Sequence, residues 1–393
     1  MSPLRWPCLA FAAWALAAGD VQGQESVRDV VRVLVTNQAV QTGDFVKDQE
    51  AAAATSDTLS RALLASIATL PTSASSAGFT YRFNPSLGTL ERTTTNFGPT
   101  FVERSITSGA GRVALGATWQ YSRFTQLDGL PLREGTLVTI ANQFTDESAP
   151  FDIERLRLEI ESSVITGFAT VGVTDRLDIG VAVPFVWLDL SGERVNTYRG
   201  SEFVQAQGVV SASGFGDASI RGKYDLVSTR NGGLAAAAEV RLPTGREEDL
   251  LGSGRRFIRV MGVASLEGDM AAAHANIAFG QGGISDEVSY GLGVAFAPAS
   301  RMTLSAEMIG RRLSDLGRIT ETVAAHPTIA DVETLRLTAT TDSRISVVSG
   351  IGSLKWNLTE TWLFKASVIL PLNDAGLTAP VRLTLGLDYA FGG

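Results

Sequence analysis

Two histidines, His274 and His326, are the only imidazoles in the chain, and so the only candidates for the base of a hydrolytic site. A serine nucleophile needs such a base within hydrogen-bonding reach. His274 sits beside Asn276 in the run AAAHANIAF, on the face opposite Ala271, Ala273, Ala275, Ile277 and Phe279. His326 precedes Pro327 in a long polar connection, where Asp315 and Asp331 supply acids but no recognisable arrangement. Suitable residue types without positioned geometry are weak grounds for catalysis, so the chain is not expected to be an enzyme. The lone Cys8 falls ahead of the apolar run near the N-terminus, a poor position for lipid attachment. One cysteine also excludes a disulfide scaffold and a cysteine-rich zinc site. The glycine pair at Gly252 and Gly254 lacks the Lys–Ser pair and helix of a phosphate loop. No metal and no cofactor is expected.

The chemistry-bearing residues that remain are charges dispersed through apolar sequence. The chain has 393 residues, 45% of them hydrophobic and 19% charged, with a net charge of -8. A pI near 5.0 does not fit a nucleic-acid partner. Residues 1–23 carry Arg5 and then an apolar run from Leu9 to Ala18, the pattern of a signal peptide. That run is too short to span a bilayer, and no later stretch is long enough. The mature chain after such a signal contains no cysteine.

The spacing of the apolar residues is two. Val113, Leu115, Ala117, Trp119 and Tyr121 alternate with Ala114, Gly116, Thr118, Gln120 and Ser122. Successive side chains of a strand point to opposite faces, so each such run has one apolar and one small or polar face. About twelve segments show this, over 112–124, 153–173, 177–190, 214–227, 233–242, 256–267, 270–280, 288–297, 301–311, 344–356, 361–370 and 381–391. Each is near the ~10 residues that a tilted membrane strand needs. Runs 344–356 and 256–267 are the least regular, and adjacent Val347 and Val348 suggest a bulge or a phase slip in the first of them.

Connection lengths alternate as well. The stretches 125–152, 191–213, 243–255 and 312–343 are long, while Thr174–Arg176, Gly268–Asp269 and Pro298–Ser300 are short. Long outer loops and short periplasmic turns are the rule in outer-membrane barrels. With strand directions set this way, Trp119, Tyr121, Phe185, Trp187 and Phe279 fall near the outer rim. Phe168, Tyr224, Phe296, Trp356, Trp362, Phe364, Tyr389 and Phe391 fall near the periplasmic rim. Two aromatic girdles mark the interfaces of a membrane barrel. The fold expected is all-β, an antiparallel up-and-down transmembrane β-barrel of about twelve strands over 111–391. If its apolar faces meet lipid, its lumen is lined by Arg157, Glu159, Glu161, Asp178, Arg221, Lys223, Asp225, Glu239, Arg241, Glu307, Arg311, Lys365, Arg382 and Asp388.

Residues 24–110 lack the period of two. Leu59, Ala62, Leu63, Ile67 and Leu70 share a helical stripe that Pro71 ends. A Ser/Thr/Ala-rich linker follows, and then a hairpin-like pair of runs flanks NPSLG. This partly helical extension is either periplasmic or a luminal plug.

Three motifs carry a resemblance. GVTDRLDIGVAVPF (Gly172–Phe185), GFGDASIRGKYDL (Gly214–Leu226) and VRLPTG (Val240–Gly245) resemble, in order and spacing, outer-membrane transporters grouped with the meta-pathway of phenol degradation. The resemblance covers roughly residues 110–391. Thr384, Gly386, Tyr389 and Phe391 also resemble the C-terminal assembly signal of outer-membrane barrels, except that Gly392 and Gly393 follow the last aromatic. The resemblance implies a porin-like channel or transporter in the outer membrane of a Gram-negative cell, passing small molecules, apolar or aromatic ones among them. Its partners would be outer-membrane lipid, the barrel-assembly machinery and a small-molecule solute. The alternative is a structural or adhesive barrel with a blocked lumen and partner-binding loops.

Overall fold

Twelve antiparallel strands close into a ring in the computed structural model. It describes residues 26–35, 45–67, 81–84, 89–92 and 96–391, apart from 230, 269, 315, 327, 341–343 and 360. The export signal read at residues 1–23 lies outside the described residues, as do Leu70, Pro71, Gly392 and Gly393. The barrel strands are β1 Val113–Phe124, β2 Asp152–Thr174, β3 Leu177–Tyr198, β4 Ser219–Thr229, β5 Gly232–Arg241, β6 Phe257–Glu267, β7 Ala271–Gly282, β8 Glu287–Ala299, β9 Met302–Leu313, β10 Ile345–Asn357, β11 Trp362–Pro371 and β12 Arg382–Phe391. Each pairs with the next in sequence, and β12 closes on β1 with Phe391 opposite Val113. The adjacent valines make no bulge: the ladder from Leu313–Ile345 to Met302–Trp356 is continuous.

Among the described residues no helix is long and apolar enough to cross a membrane. The strands carry the apolar surface instead. Val181 and Val183 on β3, Leu292 and Val294 on β8, and Leu383, Leu385 and Leu387 on β12 all point outward and are exposed. An exposed apolar surface that encircles a barrel is the signature of a lipid contact. Aromatic rings edge it at the end carrying the long connections, where Phe185 and Trp187 lie 4.6 Å apart. At the end carrying the short turns, Trp362 and Tyr389 lie 4.8 Å apart.

Beyond the ring the wall continues on one side. The stretch 191–213, expected as a loop, is a long hairpin formed by the end of β3 and by Ser201–Phe215, which leads into β4. Its two-residue tip, Arg199–Gly200, has φ of 48° and 85°, as a type I′ turn requires. Within 125–152, the strand Leu137–Phe144 takes the place of β1 beside the upper half of β2. Within 312–343, the hairpin Arg318–Ala325 and Val332–Thr340 extends the same sheet.

In this extension the dress of the strands inverts. Leu156, Leu158 and Ile160 of β2 and Leu188 and Leu190 of β3 point inward and are buried. Arg157, Glu159 and Glu161 point outward, against the expectation that they line the lumen. Arg157 meets Glu193 at 2.8 Å, Arg133 meets Glu159 at 3.3 Å and Arg123 meets Glu161 at 3.1 Å, all half-exposed. The period of two is unbroken, but the apolar face changes sides near Ser162–Val164, below which Ile165 and Val171 face out. The same change of side corrects Phe168. It belongs to the inner face rather than the periplasmic girdle, with its ring 4.9 Å from the Lys365 ammonium.

The inverted apolar face encloses the N-terminal helices α1 Val27–Val35 and α2 Phe45–Ile67. Ser26 caps α1: its Oγ accepts from the Asp29 N–H at 3.1 Å and donates to the Asp29 carboxylate at 2.7 Å. Val27, Val30, Val31 and Leu34 form one buried stripe on α1, and Leu59, Ala62, Leu63 and Ile67 one on α2. The helix α1 lies on backbone: a Cβ at Gly208 would sit 2.6 Å from Val30 Cγ1, and one at Gly192 2.7 Å from Leu34 Cδ1. At its C-terminal end the Leu34 carbonyl accepts from the buried Arg194 at 3.0 Å, a favourable place for a cation. Arg194 also meets Glu154 at 3.3 Å. Burial nevertheless pushes the Glu154 carboxyl above its ordinary value.

Candidate functional site

The interior of the ring is charged. Asp178 of β3, Lys223 and Asp225 of β4, Glu239 of β5, Glu307 of β9, Lys365 of β11 and Arg382 and Asp388 of β12 are buried and turned inward. Arg221, Arg241 and Arg311 are inward too, each with a side chain less than a fifth exposed. Four further ionisable residues on this wall are missing from the sequence reading, Arg259, Glu267, Glu287 and Lys355, and a fifth is His274. His274 had been placed on the inner face but given no role. Lys355, Arg259 and Glu267 lie on the two least regular runs, and Glu287 is the first residue of its strand. Of the assembly-signal residues, Thr384 and Gly386 face the interior, while Tyr389 and Phe391 stack on the lipid side 5.5 Å apart.

Across this interior runs the chain segment 96–112, which is followed directly by β1. It is bound at two stations. At the first, the backbone N–H groups of Thr100, Phe101 and Val102 donate to the Glu307 carboxylate at 2.7, 2.7 and 2.8 Å. The Lys355 ammonium donates to the carbonyls of Phe97 and Pro99 at 3.1 and 2.7 Å. At the second, Lys223 donates to the Ile106 carbonyl at 2.8 Å, and Ser108 N–H donates to Asp178 at 2.9 Å. Between the stations, Arg104 meets Glu267 at 3.1 Å and Arg221 meets Glu103 at 2.8 Å. An extended segment has no hydrogen-bonding partners of its own, so its buried N–H and C=O groups must find them elsewhere. The wall charges take that part: each is a charged group bonded to backbone, a stronger class of bond than a neutral pair.

The buried histidine belongs to the same contact. Its Nδ1 lies 2.9 Å from Ser265 Oγ, and that oxygen accepts from Ser105 N–H at 2.8 Å. Segment 96–112 therefore covers the one Ser–His pair that the strands bring together on the inner wall, among the described residues. His326 is at the tip of an outer hairpin, bonded to its own turn. Among the described residues no group of acids, histidines and cysteines is placed to hold a metal ion.

On the loop side of the segment a cavity of about 80 Å³ remains. Its charged lining is Arg221, Arg241, Arg259 and Arg311 with Glu103 and Glu287, and Glu239 lies behind. Arg259 meets Glu239 at 2.7 Å and Arg311 meets Glu287 at 2.6 Å. Phe101, Val102, Met261 and Ile309 supply its apolar lining. A smaller cavity, sharing Arg241, Glu287 and Arg311, reaches Ala65 near the end of α2.

Residues 141–255 match the family described as "Putative MetA-pathway of phenol degradation". This is the family that the motifs resemble. The phenol-degradation match spans β2 to β5, and so takes in both the change of side on β2 and the inward Arg221, Glu239 and Arg241. No curated protein matches the chain. Among solved structures, the COG4313 outer membrane channel from Pseudomonas putida F1 is 14% identical, covers 73% of this chain and 98% of its own, and superposes with a TM-score of 0.47. The P. putida toluene transporter TodX is 10% identical, with 72% and 90% covered and a TM-score of 0.32. The KdgM porin is 8% identical, with 64% and 99% covered and a TM-score of 0.34.

Proposed function

We propose that the protein is an outer-membrane channel for the passive passage of small molecules, closed in this conformation by its own N-terminal segment. The observation that carries the reading is the pair of stations on segment 96–112. A barrel needs no strap to be stable, since ring closure already satisfies its strand edges. Here buried charges of the wall are committed to backbone groups of a segment that is not part of the wall. In this reading residues 24–110 are a luminal plug and gate, the helices fill the outer mouth, and passage requires segment 96–112 to move. The inward charged residues then line the path. The long connections face the outside, and Tyr389 and Phe391 anchor the periplasmic interface during assembly.

A disulfide tests this. A Cβ built at Gly291 lies 3.1 Å from Val102 Cγ2, close to the ~3 Å between one Cβ and the far sulfur of a disulfide. The double variant Val102→Cys, Gly291→Cys, in a mature chain free of other cysteines, fixes the segment to β8. In a planar bilayer the oxidised protein is expected to be silent and the reduced one to conduct. Equal conductance in both states contradicts the gate. Silence in both, from a folded barrel, favours the blocked structural barrel instead.

A further inference from the structure

The outward arginines at the loop end of the barrel fall into two groups. On the extension they are paired: Arg123 with Glu161, Arg133 with Glu159 and Arg157 with Glu193. On the side formed by β6 to β10 they are not. Arg256, Arg312 and Arg344 are exposed, and among the described residues none of the three meets a carboxylate.

The strand ladder places these three on the lipid-facing side. Val260, Phe279, Val288 and Arg312 stand opposite one another in turn on β6, β7, β8 and β9. Arg312 thus ends a row whose other members are exposed apolar side chains. On β10, Ser346 is opposite Arg312, and Arg344 precedes it by two residues, on the same face and nearer the loops. On β6, Arg256 precedes the exposed Ile258 by two, and its carbonyl accepts from Gly283 N–H at 2.8 Å, so the pairing still holds at this level. Neighbouring strands lie about 4.8 Å apart, which puts Arg344 one strand from Arg312, and Arg256 three strands or about 14 Å away. Asp286, on the same stretch of rim, is engaged with backbone: its carboxylate accepts from Gly282 N–H at 3.0 Å. Unpaired guanidinium groups at the upper border of a lipid-facing band call for an anion held at that level. Their planar forks suit phosphate oxygens, and basic clusters bordering a bilayer are the usual seat of anionic headgroups.

We infer that the rim of β6 to β10 is a binding site for the sugar-linked phosphates of the outer-leaflet glycolipid, with Arg312 and Arg344 on one phosphate and Arg256 on another. The inference rests on the proposed orientation, with the long connections outside, and does not depend on whether the barrel conducts. The test is native mass spectrometry of the purified full chain, titrated in detergent with bisphosphorylated lipid A, dephosphorylated lipid A and phosphatidylglycerol. Bisphosphorylated lipid A is expected to bind at least tenfold tighter than either of the others, and inorganic phosphate in tenfold excess is expected not to displace it. The double variant Arg312→Gln, Arg344→Gln breaks no ion pair, and heat-modifiable migration checks its folding. It is expected to weaken lipid A at least tenfold, while Arg123→Gln, on the extension, leaves the affinity unchanged. Unchanged affinity in the folded double variant, or equal binding of the dephosphorylated lipid, overturns the site. Equal binding of phosphatidylglycerol shows attraction of any anionic lipid and overturns the glycolipid assignment. Displacement by inorganic phosphate shows a free-phosphate site and does the same. A double-cysteine protein that conducts when reduced but does not discriminate lipid A removes this inference and keeps the channel. A silent barrel that does discriminate it has the reverse meaning.

Discussion

The membrane ring and the outer extension of β2 and β3 are the same two strands under opposite rules. Below Ser162 the odd positions of β2, such as Ile165 and Val171, are apolar and face lipid, while the even ones line the interior. Above it the odd positions Arg157, Glu159 and Glu161 face water, and the even Leu156, Leu158 and Ile160 enclose helices. Backbone geometry fixes which side chains share a face. It does not fix which face is apolar; the solvent on each side decides that. The difference teaches that a membrane barrel can pass into a water-soluble fold along one strand, with no bulge and no change of register at the residues where the faces exchange.

The contrast can be broken by substitution. The largest effect is expected at Leu158→Ala, which removes methyl groups from the core around α1 and α2. Losses of this kind cost about 2–5 kcal/mol, read by denaturant unfolding of the protein refolded in lipid. Next, Val181→Arg puts a charge on the lipid face of β3, at a cost of about 2–4 kcal/mol near mid-bilayer. On the outer face above the rim, Glu159→Arg should shift the same curve by less than about 0.5 kcal/mol beyond the loss of its exposed pair with Arg133. The smallest effect is Arg157→Ala, which breaks an exposed pair with Glu193. It should cost about 0.2–1 kcal/mol, and the loss should fade in high salt, where such pairs are screened. If Glu159→Arg costs as much as Val181→Arg, the two faces do not differ as described.

The twelve strands were legible because a membrane strand writes its environment into every second residue. The inward positions of Asp178, Lys223, Glu239, Lys365 and Asp388 followed from that parity. The error on β2 had the same source: Leu156, Leu158 and Ile160 look like a lipid face, and nothing local distinguishes lipid from a packed helix. The helix α1 had a signal that could have revealed it, since Val27, Val30, Val31 and Leu34 follow the helical spacing after a Ser–Asp cap. Segment 96–112 had none. Its partners are wall charges tens to hundreds of residues away, such as Glu307 and Lys355, and bonds from backbone to distant side chains leave no periodicity. Of the four wall charges that bind its backbone, Glu307, Lys223 and Asp178 are legible as luminal but not as ligands of a chain segment, and Lys355 is not legible at all.

The change of side is tested most directly by spin labels placed singly along residues 156–173 of β2, in lipid bilayers, in a chain whose one cysteine, Cys8, is replaced by Ser. Accessibility to a water-soluble nickel complex and to oxygen dissolved in lipid separates the two solvents. Labels at 157, 159 and 161 should respond to nickel, and labels at 165, 171 and 173 to oxygen. Labels at 158 and 160 should respond to neither. Oxygen access at 158 and 160, or nickel access at 165 and 171, would contradict the account.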